Sequence, residues 1–119
     1  MYHTLEQQKA NRKLWVEALR SGKYKQGDEL LHHKSRYCCL GVLAHVSGVS
    51  DRDLGDQRTL RSLSSVMDFV GLRDNCGEFY GDNGGGEPSL AHINDDGAPF
   101  SEIADIIESE PPGLFRETA

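Results

Sequence analysis

Apolar residues recur along this chain at helical spacing in several places, separated by polar or glycine-rich stretches. Leu5, Ala10, Leu14, Trp15, Ala18 and Leu19 fall mostly on one face of a helix predicted over residues 5–20. Thr4 followed by Gln7 has the form of a capping box, in which a hydroxyl and an amide each satisfy an orphan backbone N–H. Gly22 supplies the left-handed stop. Residues 23–37 are short and mixed, with Glu29 to His33 read as a strand and Lys34-Ser35 as a turn into Tyr37. From Cys38 to Val46 the chain is almost wholly apolar, which suits a buried helix closed by Gly48. Gly41 inside it costs roughly 1 kcal/mol relative to alanine, so it is expected to let another backbone come close.

Residues 49–58 read as a polar loop. Leu60, Leu63, Val66, Met67 and Val70 form a helical stripe ended by Gly71. Residues 73–88 hold five glycines and read as a long loop with room for one short strand, and Gly84-Gly85-Gly86 as a candidate lid. A helical turn is expected over Ser89 to Ile93, then a turn at Asp95-Asp96-Gly97. Phe100, Ile103, Ala104 and Ile107 line a last helix starting near Ser101, which Pro111-Pro112 ends. The pattern predicts a mainly α fold of about four helices, with a small β-hairpin or short sheet at most. At 119 residues it makes a single compact domain over 1–119, with residues 113–119 a flexible tail.

No apolar run approaches the roughly 20 residues that span a bilayer, and the N-terminus has no secretion-signal pattern. Three cysteines, two of them adjacent, build no disulfide framework and suit a reducing cytosol. The net charge of −6 is unevenly placed. Residues 1–36 carry eight Lys/Arg against four Asp/Glu, while residues 74–119 carry one against eleven. So acidic a second half repels phosphate backbones, and no nucleic acid is expected as a partner. It is ordinary solubilising charge or a surface that docks onto a basic partner.

Three segments stand out in order. They are Trp15-Val-Glu-Ala-Leu-Arg-Ser-Gly22-Lys-Tyr-Lys-Gln-Gly27, Tyr37-Cys-Cys-Leu-Gly-Val-Leu43, and Leu90-Ala-His-Ile-Asn94-Asp-Asp-Gly-Ala-Pro-Phe100-Ser-Glu-Ile-Ala-Asp-Ile-Ile-Glu108. Together they resemble a widespread family of small uncharacterised phage and prophage proteins, over nearly the whole chain. The resemblance implies a phage origin and a place in the host cytoplasm, but no activity. His92 departs from the family pattern, so the resemblance assigns it no catalytic role.

A papain-like reading would pair Cys38 or Cys39 with His92 as base and Asn94 or Asp95 as its orienter. The apolar run around the cysteines favours buried packing instead. Zinc ligation by Cys38, Cys39, His32, His33, His45 or Cys76 lacks paired-ligand spacing. A calcium loop from Asp51 fails because the twelfth position is Ser62 rather than glutamate. Ser101–Ile107 echoes the first helix of a helix-turn-helix, but Ser-Glu-Pro-Pro follows it where a reading helix should start. No catalytic set, metal site or cofactor is therefore assigned. What remains is a basic-aromatic cluster of Arg20, Tyr24, Lys25, Arg36 and Tyr37, suited to a small anionic, stackable ligand such as a nucleotide. The leading expectation is a non-catalytic phage counter-defence protein that sequesters a nucleotide-type signal. An acidic inhibitor docking onto a basic host protein and a cysteine hydrolase are the alternatives. Self-association is left open.

Overall fold

Thr4 opens the first helix in the way its capping box requires. Its hydroxyl accepts from the Gln7 backbone N–H at 3.1 Å, and the Gln7 side chain accepts from the Thr4 N–H at 2.8 Å. The computed structural model describes residues 3–28, 30–55, 57–79 and 88–116. Helix α1 runs Leu5–Arg20, followed by three two-residue strands, β1 (Lys25–Gln26), β2 (His32–His33) and β3 (Arg36–Tyr37). Then come α2 (Cys39–Val46), α3 (Asp51–Leu54), α4 (Ser64–Val70), α5 (Leu90–Asp95) and α6 (Phe100–Ser109).

The described residues thus hold six helices where the hydrophobic pattern gives about four. The two extra ones are short and lie in segments read as a polar loop and a helical turn. α3 has one buried residue, Leu54, and α5 is capped by the Ser89 hydroxyl on the His92 N–H. Elements this short carry too few apolar positions to show a period. The sheet has order β1-β3-β2, with β1 parallel and β2 antiparallel to β3. Lys34 and Ser35, at the β2–β3 turn, both take positive φ, as a tight hairpin turn demands.

Helix α1 is the central element, packed against α6, α4 and α2. Its buried face is Arg12, Trp15, Val16 and Leu19. Leu5 and Leu14, counted by periodicity on the apolar face, are 39% and 47% exposed, so that stripe is narrower than expected. Trp15 is fully buried, and its indole N–H donates to the Cys39 carbonyl at 3.0 Å, tying α1 to the start of α2. In α2, Gly41 sits directly beneath the Leu31 carbonyl. A backbone does come close there. The Cα radius of gyration of 13.1 Å is that of one domain of this length, about 13–14 Å.

The segment expected to begin a tail at Gly113 is packed as far as it is described. Leu114 and Phe115 are buried, and Arg116 N–H donates to the Gly71 carbonyl at 2.7 Å. Arg73 N–H in turn reaches the Leu114 carbonyl, so these residues form a small antiparallel bridge beyond α4. Two apolar side chains after Pro111-Pro112 find core positions, which outweighs the chain-breaking prolines. Residues 117–119 and the glycine-rich 80–87, with the lid expected there, lie outside the described residues. No helix among the described residues is long and apolar enough to cross a membrane.

Candidate functional site

An opening runs along α1. One cavity of about 450 Å³ is lined by Lys9, Lys13 and Arg20 on α1 and by Ile107 and Glu108 on α6. A second, of about 310 Å³, continues past Leu5 towards Pro111, Phe115 and Arg116. Lys9, Arg12 and Glu110 line both, so the two form one groove with Arg12 at its middle. Buried Val16 and Ile107 make an apolar floor. Volumes of this order fit a small ligand.

Arg12 is charged and yet buried. Its side chain is only 9% exposed. Nε donates to the Val70 carbonyl at 2.7 Å, one Nη donates to Glu110, and the guanidinium lies 3.8 Å from the centre of the Phe115 ring. The other Nη is buried with no hydrogen-bond partner. Burial lowers the Arg12 pKa, and the hydrogen bond and charge of Glu110 pull it back only in part. Four residues apart on the same helix, Lys9 and Lys13 repel each other, and neither has an ion-pair partner among the described residues. Among the described residues the groove thus carries two cations without an ion-pair partner, Lys9 and Lys13, beside one such carboxylate, Glu17.

A second cluster lies at the sheet. The Tyr24 and Tyr37 rings meet edge to face with centroids 5.1 Å apart, and both touch His45. Tyr24 Oη and His45 Nδ1 are hydrogen-bonded at 2.7 Å. Tyr37 Oη donates to Asp51 at 2.7 Å, while His32 packs on the Tyr37 ring at 4.7 Å. Burial, reinforced by the Asp51 carboxylate, pushes the Tyr37 phenol up to about 12. A phenol held so firmly protonated is a hydrogen-bond donor and not a base.

A family described as a domain of unknown function, DUF8296, matches residues 7–111. The chain belongs to this family. No curated protein and no solved structure matches it. The matched span takes in the groove's α1 wall from Lys9 onward, its α6 wall and all three motif segments.

Within this DUF8296 domain the five residues expected to form a ligand site are not all brought together. Tyr24 and Tyr37 meet. Arg20 instead turns to α6, donating to Asp105 at 2.6 Å and to Glu108 at 3.1 Å. Lys25 and Arg36 are register partners in the sheet, as are Gln26 and Tyr37. Because side chains alternate along a strand, the two cations share the face opposite the Tyr37 ring. Gly27 confirms the direction, since a Cβ there would meet the Arg36 Cβ at 2.8 Å. Two-residue strands leave no period from which this facing could be read. Lys9, Arg12, Lys13 and Glu110 were missed. The Lys9, Arg12/Lys13, Val16, Arg20 spacing shows one helical stripe, but the opposing wall depends on how α6 docks.

Cys38 and Cys39 of the DUF8296 domain are packing residues. Cys38 caps α2, its sulfur accepting from the Gly41 N–H at 3.4 Å, and Cys39 is wholly buried with its thiol on the Leu90 carbonyl at 3.5 Å. Burial pushes the Cys38 thiol up to about 11 and the Cys39 thiol well above its ordinary value. A nucleophilic thiol needs the reverse. Asn94, the orienter of a papain-like reading, is engaged elsewhere. It accepts from the Cys39 N–H and the Gln26 amide and donates to the Gly27 carbonyl, locking β1, α2 and α5 together. His92 is exposed and faces Asp96 at 3.2 Å. Neither Cys38 nor Cys39 has the exposed, thiolate-favouring environment that the cysteine-hydrolase alternative requires.

Proposed function

We propose that this chain is a non-catalytic binding protein that captures a small anionic ligand in the α1–α6 groove. The observation that carries the reading is the buried guanidinium of Arg12, flanked by unpaired Lys9 and Lys13 over an apolar floor. Phosphate suits such a cation row, and the Val16–Ile107 floor accepts a planar apolar part. That combination describes a nucleotide-type molecule. From the motif resemblance we further propose a phage origin, action in the host cytoplasm, and a counter-defence role in which a host signal is sequestered. The acidic-docking alternative loses support, because Asp105, Glu108 and Glu110 are met by Arg20 and Arg12 within the chain.

The test is calorimetric titration with cyclic dinucleotides and ADP-ribose derivatives. Binding should weaken about tenfold in Lys9→Ala and in Lys13→Ala, each removing one exposed phosphate contact. Tyr37→Ala should change it little. Loss of binding in Tyr37→Ala with no effect of the lysines would move the site to the sheet. No binding across the panel, with capture of a basic host protein instead, would replace this reading by the acidic inhibitor.

A further inference from the structure

We infer that Glu110 is an internal stand-in for the ligand's phosphate: its carboxylate occupies the place on Arg12 that a bound phosphate takes over. This deepens the groove reading above and depends on it.

The location comes first. Arg12 and Glu110 are shared by both cavities, so their ion pair sits where the groove's two halves meet. Anything long enough to lie along α1 must pass it.

The two partners are held very unequally. Arg12 is fixed from three sides, by the Val70 carbonyl, the Phe115 ring and its own burial among core residues. Glu110 has a side chain 51% exposed, and its carboxylate is engaged by Arg12. Exchange of that carboxylate for another acid leaves the cation's other contacts in place. The Nη that Glu110 holds is the donor a groove ligand would take over, since the other Nη is buried beside Gly71. A phosphate oxygen can replace the carboxylate oxygen on that donor as a charge-assisted acceptor, and its remaining oxygens stay free for Lys9 and Lys13.

The backbone adds a third observation. Glu110 caps α6 at φ 47° and ψ 63°, a left-handed conformation that glycine and asparagine favour and glutamate seldom adopts. Helix α6 therefore ends on a residue poorly suited to the conformation yet suited in charge to Arg12. A glycine there would end the helix with less strain and leave Arg12 with an uncompensated buried charge. Glu110 neutralises Arg12 and competes with the ligand for it. It thus sets a threshold that neutral molecules do not pass and that phosphates do.

The experiment compares wild type, Glu110→Gln and Glu17→Gln, with inorganic pyrophosphate and a cyclic dinucleotide as probes. Glutamine keeps the length and a carbonyl acceptor for Arg12, and urea unfolding checks that the fold is retained. Affinity comes from calorimetry and location from amide shifts at Lys9, Lys13, Val16 and Ile107. Glu110→Gln should bind both probes about tenfold more tightly than wild type. Glu17→Gln removes an equal charge from the groove wall without touching Arg12 and should gain less than about threefold. Equal gains in the two variants would reduce the effect to general charge and overturn the stand-in role. So would groove binding that Glu110→Gln leaves unchanged or weakens, although the groove reading would then survive. Absence of groove shifts in all three proteins would remove both.

Discussion

Substitution of Gly41 by alanine tests the packing that sets the α2 start, and with it the strands and the Tyr24–Tyr37 cluster. A Cβ built on Gly41 lies 1.8 Å from the Leu31 carbonyl oxygen and 2.7 Å from its carbon. Restoring an ordinary C···O approach of about 3.3 Å requires the two backbones to part by roughly 1.5 Å. Leu31 cannot yield that cheaply. Its N–H donates to the Gln57 carbonyl at 2.7 Å, its carbonyl accepts from the Cys38 N–H at 3.3 Å, and its side chain is fully buried. Losing both hydrogen bonds costs about 1–3 kcal/mol. Partial withdrawal of the leucine adds part of the roughly 1.5–3 kcal/mol that full burial is worth. Against this, alanine gains about 1 kcal/mol of helix propensity. The expected net loss is about 2–4 kcal/mol, or a fall in Tm of roughly 10–20 °C. Urea and thermal unfolding followed by far-UV circular dichroism measure it. Gly55→Ala is the control, because its Cβ would meet only the Arg52 carbonyl at 3.8 Å with φ at −52°. That variant should be neutral or gain up to about 1 kcal/mol. If Gly41→Ala proves as stable as wild type, the close approach of Leu31 is wrong.

Two further outcomes follow from buried groups. Cys38 and Cys39 should resist a thiol reagent in the folded protein and react only on unfolding, and Cys39→Ser should cost about 1–3 kcal/mol; rapid native labelling of either would reopen their chemistry. Burial alone would raise the Asp68 carboxyl, but hydrogen bonds from His3 and the charge of Arg116 outweigh it and hold the group below its ordinary value. A carboxyl lowered in the folded state stabilises above its unfolded pKa and loses that contribution as pH falls through the folded value. Asp68→Asn should therefore lower stability at neutral pH and flatten the acid limb below about pH 4, and an unchanged acid limb in urea unfolding would refute the assignment.

What the sequence makes legible here is local, and what it hides depends on docking. The capping box at Thr4, the length of α1 and the left-handed Gly71 need only nearest neighbours along the chain, and each is found where the residues place it. Gly41 goes one step further, because a glycine inside an apolar helix declares that something approaches even though the sequence cannot say that it is Leu31. Burial of Arg12 declares nothing in advance: on α1 it reads as one more solvated cation, and only the α4 carbonyl of Val70 and the ring of Phe115 turn it inward. The same holds for charge. A basic first third and an acidic last third suggest opposite outward faces, yet α1 lies against α6, and Arg12 and Arg20 meet Glu110, Asp105 and Glu108 across that contact. Part of the asymmetry is therefore complementarity folded into the chain. Of the cations it leaves over, Lys9 and Lys13 flank Arg12 in the groove. Sequence composition locates the positive charge correctly, but the part left uncompensated emerges only after the two helices have been placed side by side.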